Sequence, residues 1–563
     1  MIVASAAYLA VTSLGLAGVP QAGAPAPQTP PPAAQPPPTF RLGIDAIPLD
    51  VLVLDKDRHP VRGLTKADFT ILENGKPQPI VSFGEVDVAG PVAPTAPWMN
   101  EVGSDVVAND MRSRRLVIIV MDNGNTGVNF GEPRSVRKIA HAVIDQLGPD
   151  DLAAVVYTYL GPPQNFTADR TKLRAAVEAF QPRNLNLSGH GPGVPLACDP
   201  GIGIREGGCA VDALKHIGDS LRLAPVGRKT LIYISPGVAF NFSPFGQALS
   251  PQIDALQKMF QALQLANVSV YAIDPAGMMP VPRDPNVLDF AENTGGRSIR
   301  NDNEAWLQVP DVFRENSSYY LLGYQSTNPK PDGGFRQIQV KVNRPGVEVR
   351  NRSGYYARKP EKPKPSKQPV SPIEEALARG LPGGDIPLRV SAAAFAVPGK
   401  RDADVAIVVG VREPLDTPGA PATRRVNVMA TAFDDGWAGS FVVKGAFKQT
   451  IELTMRPGAS VESPYEVFSR LPLKPGRYEV RFAAESAGRT ANVFVDVEVP
   501  DFAKADLSTS GVVLARTPPS IQASMNVLAD LIPVVPTTVR EFGSTDRVTA
   551  FLRIYQGLSL IHI

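Results

Sequence analysis

Residues 115–127 read Arg-Leu-Val-Ile-Ile-Val-Met-Asp-Asn-Gly-Asn-Thr-Gly, and the fold follows from how this stretch is read. Leu116 to Val120 are five apolar residues in succession, which suits a strand buried on both faces, as in a parallel sheet. Asp122 to Thr126 then make a polar loop at the strand's carboxyl end. Open α/β sheets bind ligands in the crevice at that edge, so chemistry is expected here first.

The chain beyond repeats the theme. Pro133 suits the first turn of a helix whose Val136, Ile139, Ala140, Val143, Ile144 and Leu147 share one face before Gly148 ends it. A strand is expected at 152–160, then a helix capped by Asp169 with Leu173, Val177 and Phe180 inward. Another helix carries Val211, Leu214, Ile217 and Leu221. Strands follow at 231–234 and 268–273, separated by a helix opening at Ser250-Pro251 with Ile253, Leu256, Phe260 and Leu263 on one side. A short helix near 287–292 and a last central strand at 319–324 complete the series. This βαβα succession predicts an α/β unit over residues 112–325, a doubly wound, mostly parallel sheet.

The flanks read differently. Residues 1–26 have the apolar run and small-residue cleavage patterns of a signal peptide, with a retained N-terminal anchor as the alternative. Residues 27–39 form a proline-rich tether. Residues 40–90 read as a small β domain with a turn at Asn74-Gly75, and 88–113 as a loose connection. Asp55 and Asp57 read as turn formers. Residues 326–357 read as a β extension of the central unit, 358–384 as a Pro/Lys linker and 385–500 as an all-β sandwich. Residues 501–557 form a partial C-terminal region. Residues 558–563 resemble a translated sequencing adapter, so the natural chain is expected to continue past Gly557.

Charge is balanced, with 57 Lys and Arg against 55 Asp and Glu, and no dense basic face appears. Nucleic acid is therefore not an expected partner. The two cysteines, Cys198 and Cys209, lie in a Gly/Pro-rich loop, and in an exported chain they read as a local disulfide. His59, His141, His190 and His216 are scattered, which suits surface or packing roles better than a catalytic set.

Several stretches are similar to a known family. PLDVLVLDKDRHPVRGLTKADFTILENGKPQ precedes the central unit, and FTADRTKLRAAV, KTLIYISPG, VYAIDPAG, TGGRS, YYLLGY and RSGYYA lie within or just after it. These resemble von Willebrand factor A domains, and the arrangement resembles the exported bacterial VWFA-related proteins of the Acidobacteria type. The resemblance implies an Mg²⁺ site at the sheet's carboxyl edge, built from an Asp-x-Ser-x-Ser loop, a Thr and a further Asp, that captures a partner's carboxylate. Asp122 matches the first ligand and Thr126 keeps a hydroxyl. Gly124 replaces the first Ser, Cys209 falls in the Thr slot, and Ser235 or Pro236 falls where the last Asp belongs. Asn123, Asn125, Ser235 and Asp274 are the other binding candidates. The expectation is a degenerate site without resident Mg²⁺, weak Mg²⁺ binding being the alternative.

Together these readings predict an exported, periplasmic, cell-surface or secreted protein that is not an enzyme and binds another protein. Membrane contact is expected only through export or an uncleaved N-terminal segment. The rivals are an envelope structural component and a serine hydrolase using Ser235. The hydrolase lacks a Gly-x-Ser-x-Gly elbow.

Overall fold

The computed structural model describes residues 46–87, 105–109, 115–124, 132–148, 151–182, 208–222, 228–239, 249–278, 287–357, 371–412, 423–434, 443–454, 465–520 and 527–556, a few single positions aside. The first strands are β1 (Ala46–Leu54), β2 (Phe69–Glu73), β3 (Lys76–Gln78), β4 (Ile80–Asp87) and β5 (Val107–Ala108). The central segment runs β6 (Leu116–Met121), α1 (Glu132–Asp145), β7 (Leu152–Tyr157), β8 (Gln164–Thr167), α2 (Arg170–Glu178), α3 (Gly208–Leu221) and β9 (Lys229–Ile234). It continues with β10 (Val238–Ala239), α4 (Leu249–Leu265), β11 (Val268–Ile273), β12 (Val287–Leu288), α5 (Ala291–Thr294), β13 (Ser298–Ile299) and α6 (Val309–Glu315).

β6 is buried along its whole length. Its residues alternate between two cores: Val117, Ile119 and Met121 pack with residues of α1, α2 and α6, whereas Leu116, Ile118 and Val120 pack with residues of α3 and α4. Helices on both faces explain why the run is apolar without alternation. The sheet order is β13-β11-β9-β6-β7-β8, parallel except for the antiparallel pair β7–β8. Asp169 caps α2 by accepting from the backbone N–H groups of Thr171 and Lys172, as expected. Two local expectations are corrected. Ile253 is exposed rather than inward. Segment 287–292 is not one helix but the strand β12, paired with β10, followed by the single turn α5.

A larger correction concerns the strand expected at 319–324. β14 (Ser318–Gln325) is not part of the central sheet: it pairs antiparallel with β1 and β4. β15 (Phe335–Val342), β16 (Glu348–Arg350) and β17 (Gly354–Tyr356) follow. They complete a sandwich of two sheets, β16-β1-β14-β4 and β17-β15-β2-β3. Residues 40–90 and 326–357 are thus two parts of one β unit, with the α/β segment inserted between them. The reason for the misreading is physical. Tyr320, Leu322 and Tyr324 face the sandwich core, while Tyr319 and Leu321 pack on the opposite side with Leu52. Being apolar on both faces, β14 carries the pattern of a buried parallel strand.

The distal unit begins with α7 (Pro372–Ala378) and β18 (Gly383–Gly384), both inside the expected linker, and continues with β19 (Leu388–Ala396), β20 (Ala403–Val411), β21 (Thr423–Asp434) and β22 (Val443–Thr454). β23 (Tyr465–Leu473), β24 (Gly476–Ser486) and β25 (Arg489–Val499) follow, then the short β26 (Leu507–Thr509), β27 (Val513–Thr517), β28 (Arg547–Phe551) and β29 (Ile554–Gln556). Sheets β18-β25-β24-β21-β22 and β23-β20-β19-β5 enclose its core. The connection expected to be loose contributes β5, which pairs with β19. Asn109 ties it further, accepting from Leu388 N at 2.8 Å and donating to the Ile386 carbonyl at 2.9 Å. The chain therefore visits the distal sandwich before it enters β6.

A polar seam joins the first sandwich to the α/β unit. Glu315 has no solvent exposure and pairs with Arg58, Arg297 and Arg350 at 3.4, 3.1 and 3.5 Å. Asn267 donates to Asp50 Oδ2 at 2.7 Å, and Arg228 N donates to the Tyr319 hydroxyl at 3.2 Å.

Candidate functional site

The register of the parallel strands builds the site. Met121 is level with Tyr157 and Ile234, Ile234 with Ile273, and Ile273 with Ile299. The next residue of each strand, Asp122, Thr158, Ser235, Asp274 or Arg300, therefore falls in one row along the carboxyl edge. The ladder extends one step into this row: Asp122 N donates to the Ile234 carbonyl, Ser235 N to Ile273 and Asp274 N to Ile299, at 3.0, 3.1 and 2.9 Å.

Asp122 is completely buried and its carboxylate is surrounded by hydroxyls. Oδ1 accepts from Thr158 Oγ1 at 2.6 Å, and Oδ2 accepts from the Tyr233 hydroxyl at 2.7 Å and from Ser235 Oγ at 2.6 Å. Three charge-assisted bonds are the compensation a buried carboxylate needs. Asn123, also buried, accepts from Tyr159 N at 2.9 Å. Ser235 Oγ in turn accepts from Gly237 N at 3.0 Å, and Asp274 accepts from Ala276 N at 2.9 Å, closing a tight turn. Beside this row lies a small cleft lined by Tyr233, Ser235, Pro236, Gly237, Ala272, Asp274, Phe290 and Arg300.

Of the candidates read from the sequence, Asp122, Asn123, Ser235 and Asp274 are brought to this edge. Asn125, Thr126 and Cys198 lie outside the described residues, as do the signal, the proline tether and His190. Gly124 supplies no side-chain oxygen, and Cys209, 4% exposed at the start of α3, is disulfide-bonded. Among the described residues no three His, Cys, Asp or Glu side chains gather as metal ligands. Thr158, Tyr233 and Arg300 were not read as site residues. Thr158 and Arg300 each follow a strand directly, a signal open to detection once the strand ends are placed. Tyr233 carried none, since it lies inside a strand.

The described histidines serve other purposes. His141 Nε2 lies 2.6 Å from Glu178, His216 sits near Asp212, and His59 near Asp55 in a turn. Asp55 forms that turn by accepting from Asp57 N and His59 N.

No family model and no curated protein matches the chain. Solved structures similar to it include an aerotolerance-related membrane protein from Bacteroides fragilis NCTC 9343, at 14% identity and TM-score 0.22 over 36% of this chain and 98% of that one. The conserved hypothetical protein BatB from Bacteroides thetaiotaomicron gives 16% identity and TM-score 0.22 over the same shares. The pilus adhesin SpaC from Lactobacillus rhamnosus GG gives 8% identity and TM-score 0.25 over 82% of this chain and 60% of that one. At these TM-scores the likeness carries no argument about fold or activity. Among the described residues no helix is long and apolar enough to cross a membrane.

Proposed function

We propose that the chain is an exported, non-enzymatic protein that binds another protein with the carboxyl edge of its α/β unit, a unit of the von Willebrand factor A type with a degenerate ligand set. The observation that carries this reading is the row Asp122, Thr158, Ser235, Asp274 and Arg300. It sets polar groups along the sheet edge where open α/β folds bind ligands. Ser235 donates to the Asp122 carboxylate and accepts a backbone N–H, and the carboxylate that a serine nucleophile would use as its base is already shared with the Thr158 and Tyr233 hydroxyls. Two sandwiches would then act as the frame that presents the edge.

The test is capture of surface and periplasmic proteins on the immobilised full chain, compared with an Arg300→Glu chain. Recovery of one protein by the native chain and its loss with the charge reversed supports the reading. Equal recovery by both chains places binding elsewhere. Esterase or peptidase activity that disappears in Ser235→Ala would replace the reading with the hydrolase.

A further inference from the structure

The described residues at this edge do not fit the Mg²⁺ ion that the resemblance implies. A carboxylate offers about four lone-pair positions, and three hydroxyls from β9 and the ends of β7 and β9 hold Asp122. Mg²⁺ requires oxygen ligands in near-octahedral geometry and sheds its water reluctantly. To enter beside Asp122 it would have to displace hydroxyls in a buried site, where each group left without a partner is costly. Two of the described positions where the resemblance expects ligands supply no side-chain oxygen, and a third is engaged already. Gly124 has no side-chain oxygen, the sulfur of Cys209 is in a disulfide, and the Ser235 hydroxyl donates to Asp122.

We propose that this edge recognises its partner independently of divalent cations, because the hydroxyls of Thr158, Tyr233 and Ser235 hold the Asp122 carboxylate in place of a metal ion. The inference rests on the protein-binding reading of the same edge and deepens it. Its consequence is an edge already set in its binding arrangement. Partner contact then relies on side chains of the row, and chelation leaves it intact.

Two measurements on the full chain separate this inference from the reading beneath it. The first needs no partner: Mg²⁺ and Mn²⁺ are titrated by calorimetry, and melting is followed in excess Mg²⁺ and in EDTA. No saturable heat and an unchanged melting temperature are expected. Saturable binding at or below millimolar concentration that is lost in Asp122→Asn overturns the proposal. A melting temperature raised by Mg²⁺ and lowered by EDTA overturns it too, so the test stands even where that variant folds poorly. The second is partner capture in Mg²⁺ and in EDTA. Equal capture supports the proposal, and capture only in Mg²⁺ overturns it while leaving protein binding intact. Failure to capture any partner counts against the protein-binding reading alone, and the titration still decides the cation question.

Discussion

The Ser235 hydroxyl donates to Asp122 Oδ2 at 2.6 Å, tying the end of β9 to the end of β6 through side chains where the backbone ladder is about to stop. The Tyr233 hydroxyl reaches the same oxygen at 2.7 Å. Tyr233→Phe and Ser235→Ala are each expected to lower stability by about 1.5–3 kcal/mol, the range for a hydrogen bond to a charged group. Because both act on one oxygen, the double variant should lose an amount that differs from the sum by more than about 0.5 kcal/mol. Urea unfolding of the four chains checks this, and strict additivity would mean the two hydroxyls do not share Asp122.

Glu315 is a second buried carboxylate, but its partners are three guanidiniums drawn from β16, the turn after β1 and the approach to β13. Glu315→Gln leaves those charges facing one another, with Arg297 and Arg350 mostly out of solvent and Arg58 about a third exposed. A loss of roughly 3–5 kcal/mol is expected, as when one partner of a buried ion pair is removed. The exposed pair Arg174–Asp145 is the control: Asp145→Ala should change stability by no more than about 1 kcal/mol. Comparable losses in the two variants would show that the seam contributes nothing special.

The inserted arrangement of the first sandwich sets where the chain can be cut. A fragment of residues 100–360 keeps β14 to β17 but lacks β1, β2 and β4, so Tyr320, Leu322, Ile338 and Val340 lose the partners they bury against. A fragment of residues 40–357 retains both halves. The longer fragment should melt cooperatively by circular dichroism and the shorter should show a broad transition. Cooperative melting of the shorter one would mean the α/β segment folds without its sandwich.

How much of this was legible depended on what each residue's neighbours were. β6 and the apolar stripe of α1 were readable because periodicity reports burial, and Val136, Ile139, Ala140, Val143 and Ile144 are buried as their spacing requires. β14 was assigned to the wrong sheet because the pattern reveals that both faces are covered, not what covers them. At the site, Asp122 and Ser235 drew notice as polar residues ending apolar runs. Thr158 did not, because the strand expected at 152–160 ends three residues earlier, at Tyr157, which turns an interior position into an edge position. The connector's two-residue β5 is too short for any periodicity, so its docking on β19 had no sequence signal.

Lys229, at the start of β9, is only 3% exposed, and burial pushes its ammonium down to about 8 from 10.5, opposed in part by the charge of Asp50. Burial also raises the Asp50 carboxyl above its ordinary range. The sign for Lys229 is fixed by proton counting. Between pH 8 and 10.5 the unfolded chain holds a proton on this lysine that the folded chain has released, so its contribution to stability rises with pH across that window. Below pH 8 the cost of burying the charge applies in full. Lys229→Met removes this dependence. Its stability relative to the native chain should be most favourable below pH 8 and should decline steadily toward pH 10.5, where a neutral lysine stem is no worse buried than methionine. Melting temperatures of both chains across pH 7 to 11 decide the matter, since the titrations of other lysines and tyrosines cancel in the difference. A difference that stays constant with pH would show that the Lys229 ammonium is solvated in the folded chain.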